Sequence, residues 1–448
     1  MSRHFMTIVG NTLYAICDYT FEGNYIRTTP YVQTAILKQF LPDLKQDDKI
    51  TIFLTEDAEK QNWDNRDFTE REAANSVKYG YRKSVEESVI KPGLKQELET
   101  VIKENVSADS FCAEQILNPV FQIPEGKTRE ELFALFEVIY NEIQNGDEIY
   151  FDITNSFRFM PMMVMTILNY AQTLKGIKVQ GIYYGEYDPK AYDFKTNRSM
   201  PILDISMFQN IVDLAKASEV FVKNGIAEPL MEATKKSCNT PELSAIKNEM
   251  LWLDILTKEI QCGRGKYQDN GKKSIQTGYK TLKDKMVDLH HIEDGYSKII
   301  SPLMDYVHQN VSRFDTSNSV EIGLATVEWC IQYNQIQQGF TALEETCTTL
   351  ACKLYEEDET DPDIREKVKG LMMKVASKNT LKLEKEAILK ILPEKFIQLS
   401  ANVSQQRNSI NHFGYDKASE NGTEFKTFHK TIKKFARELQ EIYSSVQK

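Results

Sequence analysis

Near the C-terminus of the 448-residue chain, Arg407-Asn408-Ser409-Ile410-Asn411-His412 sets a guanidinium and an imidazole five residues apart. An imidazole exchanges protons near neutral pH, while a guanidinium stays charged and grips phosphate oxygens. Together the two groups could catalyse metal-free RNA cleavage. The ribose 2′-OH attacks the phosphate, His412 moves the protons, and Arg407 stabilises the pentavalent phosphate. Asn408 and Asn411 would position the phosphate or the ribose. On a helix the spacing puts Arg407 and His412 about 140° apart, closer if the end loosens near Gly414. Such a spacing recurs by chance, so the motif alone is weak. The other five histidines read as surface or packing residues. His290-His291 lacks Cys or carboxylate partners at metal spacing, so no metal site is expected.

A second group lies where apolar runs turn polar. FMTIV is followed by Gly10-Asn11-Thr12, and EIYF by Asp152-Ile153-Thr154-Asn155-Ser156-Phe157-Arg158. Glycine lets backbone N–H groups approach a phosphate, and the Asn and Thr side chains add hydrogen bonds. The run 152–158 leads into a helix, whose N-terminus favours anions. Arg158 either pairs with a phosphate or serves as a structural ion-pair partner. Tyr183-Tyr184-Gly185 ends a third run, where Tyr184 stacks an adenine or simply packs. A plain turn at Gly10-Asn11 and a helix cap at Ser156 explain the same residues without any ligand. Neither GxGxxG nor GxxxxGK[ST] occurs, which disfavours an ordinary dinucleotide or nucleoside-triphosphate cradle. These residues alone lead to an anion-binding α/β domain.

The elements that must carry them are legible from periodicity. FMTIVG, KITIFLT (49–55), EIYFDIT (148–154) and VQGIYYG (179–185) read as buried strands. Residues 30–41, 128–143 and 160–174 read as helices, with Thr128 and Glu131 at capping-box spacing. Strand alternating with helix predicts an α/β domain over residues 1–204, Rossmann-like with a parallel sheet. In such a sheet ligands bind beyond the carboxyl ends of the strands, where the polar runs fall. After PILDIS (201–206) the alternation stops. Residues 207–223, 242–260, 276–311 and 318–355 read as helices. Phe425, Phe428, Ile432, Phe435, Leu439, Ile442 and Tyr443 share one helical face. Residues 205–448 are therefore expected to be all-α, with a Gly- and Lys-rich loop at 262–273.

Hydrophobic residues are 41% and charged residues 27%, the composition of a folded chain rather than a disordered or fibrous one. No apolar run reaches the length of a membrane span, and MSRHFMTIVGNTLY lacks the apolar core of a signal peptide. Seven cysteines without a CxxC pair suit a reducing cytoplasm, with neither zinc nor disulfides. A cytoplasmic location is thus expected. The net charge of −10 argues against a nucleic-acid coat protein. The charge is uneven: −9 over residues 1–204, −1 over 205–448, and 8 basic against 5 acidic residues from 405 onward. An RNA cutter with a weakly basic local site is permitted.

In combination these segments resemble the CARF–HEPN ribonucleases that accompany type III CRISPR systems, specifically the branch marked by an Asp-x-Thr-His-Gly motif. Residues 8–37 look like that branch's opening strand, ligand loop and first helix. IPEGKTREELFALFEVIYNEIQNGDEIYFDITNSFRFMP (123–161) resembles its most recognisable block, GIYYGEYD (181–188) the following strand, and RNSINH (407–412) the HEPN motif. Residues 207–390 match only in helical character.

The resemblance implies a CARF half that dimerises and binds a cyclic oligoadenylate, cyclic tetra-adenylate in preference to the hexa-adenylate. It implies a HEPN half whose Arg407, His412 and Asn408 form a composite site across a homodimer and cleave single-stranded RNA, with no cofactor. An isologous dimer presents each contact twice, which suits a ring of even number. Ligand contacts would come from Gly10, Asn11, Thr12, Asp152, Thr154, Asn155, Ser156 and Arg158, with Tyr184 stacking. The branch motif's His-Gly is Asn155-Ser156 here. Asn hydrogen-bonds but is no acid or base near pH 7, which puts ring-cleaving activity in doubt and leaves binding intact. Two other readings remain: a non-enzymatic sensor regulating a partner, and a ring nuclease that degrades the activator.

Overall fold

The computed structural model describes residues 2–81, 90–106, 113–155, 158–186, 199–238, 241–265, 273–377, 381–412 and 425–447. The chain divides into two compact units, Met1–Gln209 and Asn210–Lys448.

In the first unit, β1 (Arg3–Val9), β2 (Cys17–Phe21), β3 (Asn24–Thr29), β4 (Lys49–Leu54), β5 (Leu117–Val120), β6 (Glu148–Asp152), β7 (Lys178–Gly185) and β8 (Ser199–Asp204) form one sheet. The spatial order is β3-β2-β8-β7-β6-β1-β4-β5. The run β5-β4-β1-β6-β7 is parallel throughout. Beyond it the sheet is mixed. β8 pairs antiparallel with β7, and β2 pairs parallel with β8 and antiparallel with β3. The expected Rossmann-like parallel sheet is present in its five central strands, with mixed pairing added at one side. The β2–β3 hairpin closes through Glu22 (φ 49°) and Gly23 (φ 80°), two left-handed residues that match the natural twist of a two-residue hairpin.

The central strands read as continuous apolar runs because both sheet faces are covered. Phe5 and Val9 of β1 pack with helices Val32–Phe40 and Leu94–Glu104. Met6 and Ile8 point the other way, against helices Arg129–Glu142 and Met160–Lys175. The capping box at Thr128 is half formed. Thr128 accepts from the Glu131 N–H, but the Glu131 carboxylate accepts from the Lys127 N–H rather than from that of Thr128. Helix Met160–Lys175 begins with a proline in its first turn and ends at Gly176 (φ 62°). It follows β6 in the chain, and residues 153–155 with the loop after β1 flank the crevice described below.

The second unit is helical among the described residues. The segment expected as one helix over 276–311 is broken into Ile275–Lys285, a short turn at Leu289–His291 and Gly295–Val311, because Asp288 and Asp294 cap fresh starts. The segment 318–355 splits into Ser319–Gln332 and Ile336–Leu354 around Asn334, which adopts a left-handed φ of 56°. Helix Phe425–Val446 buries Ile432, Phe435, Leu439, Ile442 and Tyr443 on one face and leaves Phe425 exposed. That face shares a core with Val320, Phe340, Leu343, Phe396 and Val403, so it packs against the helix that carries Arg407. No described helix is long and apolar enough to cross a membrane.

Truncating Leu439, which is fully buried, should cost about 2–5 kcal/mol. Denaturant unfolding followed by helical circular dichroism should show Leu439→Ala moving to a lower midpoint than Phe425→Ala.

Candidate functional site: the strand-end loops and the Arg407 helix

β1 lies between β4 and β6, and the chain order reverses there: β4 and β5 build outward on one side, β6 and β7 on the other. Neighbouring connections diverge at such a point and open a crevice beyond the carboxyl ends of the strands. Thr7 is in register with Asp152, so the loops starting at Gly10 and Ile153 emerge side by side. A Cβ on Gly10 would stand 2.8 Å from the Tyr14 hydroxyl and 3.5 Å from the Asn155 carbonyl oxygen. A side chain at Gly10 would thus crowd the Tyr14 hydroxyl of its own loop, while the Asn155 carbonyl stands at ordinary contact distance.

Its N–H, however, is not offered to a ligand. It donates to the Tyr14 hydroxyl at 2.7 Å, and that hydroxyl donates back to the Gly10 carbonyl at 3.1 Å. Burial pushes the Tyr14 phenol well above its ordinary pKa, so the proton stays on the oxygen. The Asn62 amide donates to the carbonyls of Gly10 (2.7 Å) and Thr12 (3.2 Å). The side chains of Asn11 and Thr12 are exposed.

Asp152 needs correction as a ligand contact. It is fully buried, and its oxygens accept from the Thr7 hydroxyl (2.7 Å), the Thr154 N–H (2.9 Å) and the Thr154 hydroxyl (2.5 Å). Burial raises its pKa against those hydrogen bonds. The Thr154 hydroxyl in turn accepts from the Gly185 N–H at 2.8 Å. Asp152 and Thr154 thus pin the ends of β1, β6 and β7 together and stand behind the crevice. Asn155 is half-buried, Arg158 is exposed, and Tyr184 is 37% exposed at the end of β7. Ser156 and Phe157 lie outside the described residues.

In the second unit, Arg407 sits in the last turns of helix Glu394–Asn411, and His412 caps it with its N–H donating to the Asn408 carbonyl at 2.9 Å. The helix is regular through Asn411, so Arg407 and His412 leave it about 140° apart, and one chain does not bring them together. Asn408 and His412 are exposed, and the Arg407 Nη1 approaches the Asn408 Oδ1 at 3.3 Å. Asn411 accepts from the Gln337 amide at 3.2 Å, which ties the helix end to its neighbour.

On its inner side Arg407 turns Nε towards Glu344, 3.5 Å from Oε2. Glu344 belongs to helix Ile336–Leu354, is 1% exposed, and also lies 3.0 Å from the Lys369 ammonium. Neither of its oxygens has a hydrogen-bond partner, so the two cations alone compensate a carboxylate removed from water. With Nε towards Glu344 and Nη1 on Asn408, the part-exposed guanidinium is the kind of group that pairs with a phosphate.

Sequence reading missed Tyr14, Asn62 and Glu344. The one available signal was Glu344, a carboxylate inside the apolar helical run FTALEETCTTLAC. No cluster of three metal-ligating residues occurs among the described residues. His290 and His291 pair with Asp305 (3.1 Å) and Asp288 (3.3 Å) at the surface.

Residues 5–189 match the profile of the family described as the CARF domain of the CRISPR system endoribonuclease Csx1. These residues are similar to a Csx1-type CARF domain. The match lies wholly within the first compact unit. A curated relative, CRISPR-associated protein MJ1674 of Methanocaldococcus jannaschii, is 24% identical over 230 residues, which is 50% of this chain and 32% of that protein. The aligned stretch therefore spans about a third of that relative's length. Among solved structures, Enterococcus italicus Csm6 bound to cyclic hexa-2′-fluoro-hexa-dAMP is similar at 10% identity and a TM-score of 0.40, over 99% of this chain and 95% of that one.

Asp152→Ala would leave the Thr154 N–H and two hydroxyls without their acceptor, at a cost of about 1–3 kcal/mol. Its melting temperature should fall. Arg158→Ala, an exposed change, should stay within about 0.5 kcal/mol of the parent in the same scan.

Proposed function

We propose that the protein is an endoribonuclease switched on by a cyclic oligoadenylate, acting in type III CRISPR antiviral defence. The observation that carries this reading is the Csx1-type CARF domain over residues 5–189, joined in one chain to a helical unit that presents Arg407 and His412 at an exposed helix end. The domain match supports the sensing half, since the family is described by its endoribonuclease. The Arg407–His412 pair supports the cutting half.

In the sensing half, the exposed Asn11, Thr12 and Arg158 are the polar contacts for the ring phosphates, joined by Asn155 and Ser156. Tyr184 offers its ring to a base. Asp152 and Thr154 hold these groups in place from behind. Cyclic tetra-adenylate is the proposed activator.

In the cutting half, His412 takes the proton from the ribose 2′-OH as the 2′ oxygen attacks phosphorus, and a proton is returned to the departing 5′ oxygen. The products are a 2′,3′-cyclic phosphate and a 5′-hydroxyl, so the reaction balances without water or a metal ion. Arg407, oriented by Glu344, stabilises the charge on the pentavalent phosphate, and Asn408 positions the strand. The 140° between Arg407 and His412 is bridged by a second copy, each chain of a homodimer completing the other's site. Single-stranded RNA fits such a site because its backbone can be splayed to bring the 2′-OH in line.

That same divergence of Arg407 and His412 favours the second reading, a sensor that regulates a partner without chemistry of its own. Ring cleavage is not proposed: Asn155 replaces the histidine of the resembling branch and carries no proton to transfer.

The two readings separate in one assay: labelled single-stranded RNA with cyclic tetra- or hexa-adenylate and EDTA. Ring-dependent cleavage ending in 2′,3′-cyclic phosphate is expected, falling about 10²-fold or more in His412→Ala and in Arg407→Ala. Undiminished cleavage by His412→Ala would remove the catalytic assignment. Ring binding without cleavage would leave the sensor.

A further inference from the structure

Lys91 is fully buried, which for lysine calls for a reason. Its ammonium bonds no carboxylate. It donates to the Gln61 carbonyl and, at 2.6 Å, to the Asn62 Oδ1, and it lies 5.8 Å from the centre of the Tyr31 ring. The backbone around it is fixed by a two-way bridge with Arg66: each N–H donates to the other's carbonyl, at 2.9 and 3.1 Å.

A lysine ammonium only donates, so the Asn62 amide has one permitted orientation, oxygen towards Lys91 and nitrogen away. That nitrogen donates to the carbonyls of Gly10 and Thr12. The chain Lys91–Asn62–loop thus turns two carbonyl dipoles of the strand-end loop inward. Left free, those oxygens would face the crevice and repel an anion. Without Lys91 the amide loses the partner that decides which of its ends meets the loop.

We propose that Lys91 is a positioning residue for ligand binding, which acts through Asn62 to hold the Gly10 and Thr12 carbonyls out of the crevice and sets a buried positive charge beneath a phosphate bound there. This rests on the reading that the crevice takes a cyclic oligoadenylate.

A proton linkage follows. Burial first, and then the Arg66 guanidinium, lower the Lys91 pKa to about 7, while Glu72 acts in the opposite sense. Glu72 is itself engaged by Arg66 at 2.6 Å. Tyr31 faces the ammonium with its ring. A phosphate over the loop favours the charged form, so the bound state has the higher pKa and binding takes up a proton. Affinity is then greatest below the free-state value and weakens as pH rises through it.

The test is titration of labelled cyclic tetra-adenylate by fluorescence anisotropy, on the full chain, between about pH 6 and about pH 8. Asn62→Asp keeps an acceptor for Lys91 but presents the loop carbonyls with another acceptor. It should bind about ten-fold more weakly while still unfolding in one cooperative transition. Lys91→Met should bind about ten-fold more weakly at the acid end and lose the pH dependence of the parent. Arg158→Ala serves as the reference for a direct phosphate contact, with weaker binding but the parent's pH profile. If Arg158→Ala binds weakly while Asn62→Asp and Lys91→Met match the parent in affinity and pH profile, the role of Lys91 is overturned and the binding reading stands. If the parent binds neither this ring nor the hexa-adenylate, the binding reading falls and takes the Lys91 role with it.

Discussion

The crevice of the first unit depends on a carboxylate that never meets water. Asp152 draws the Thr7 hydroxyl of β1 and the amide and hydroxyl of Thr154 onto itself, and Thr154 then takes the Gly185 N–H of β7. Burying an ionised carboxylate costs several kcal/mol. Hydrogen bonds to a charged group return about 1.5–3 kcal/mol each. The raised pKa of Asp152 shows that the return is incomplete. A carboxyl raised in the folded state stabilises that state most in acid, and the contribution fades as pH rises through the folded value. The strand ends are thus held in register by hydrogen bonds to a carboxyl that burial disfavours in its charged form.

The helical unit uses the same device with different partners. Glu344 is as buried as Asp152, yet it is met by cations in place of hydrogen-bond donors, Lys369 on one oxygen and Arg407 on the other. A hydrogen-bonded carboxylate fixes the backbone that donates to it. A carboxylate met by long cationic side chains fixes only the ends of those side chains. Asp152 therefore shapes a loop, whereas Glu344 aims a guanidinium. The contrast matches what each place is asked to do on the proposed reading: enclose a ring in one unit, and present a single charge to a passing strand in the other.

The sequence made the outline of this arrangement legible and hid its support. β1, β4, β6 and β7 stood out because strands covered on both faces are apolar without interruption. The polar residues closing them were legible for the same reason, as abrupt ends to those runs. β2, β3, β5 and β8 were not. They are short and edgeward, and β5 contains Pro119, a residue that ordinarily argues against a strand. The error on Asp152 had a physical source. A polar residue at a strand end looks alike in sequence whether it turns towards the crevice or back into the sheet, and only the register with Thr7 decides. Asn62 and Lys91 gave no signal at all. Their role depends on contacts 50 and 29 residues apart in the chain, which no local pattern records.

The two candidate sites also differ in completeness within a single chain. At the strand ends the Gly10 and Asn155 loops lie side by side, and the Gly10 and Thr12 carbonyls are already taken by Asn62. The Arg407–His412 pair has each residue in place and the two facing apart. Helix geometry enforces this: a rotation of about 140° over five residues cannot be removed by side-chain rotamers while the last turn stays helical. On the proposed reading, a second chain would supply the missing partner without unwinding either helix, because a two-fold axis returns each residue once from the other side. Control of cleavage would then lie in how two copies are held, and neither Arg407 nor His412 would need chemical activation by its own neighbours. On that reading the exposed pair would stay inert in the isolated chain.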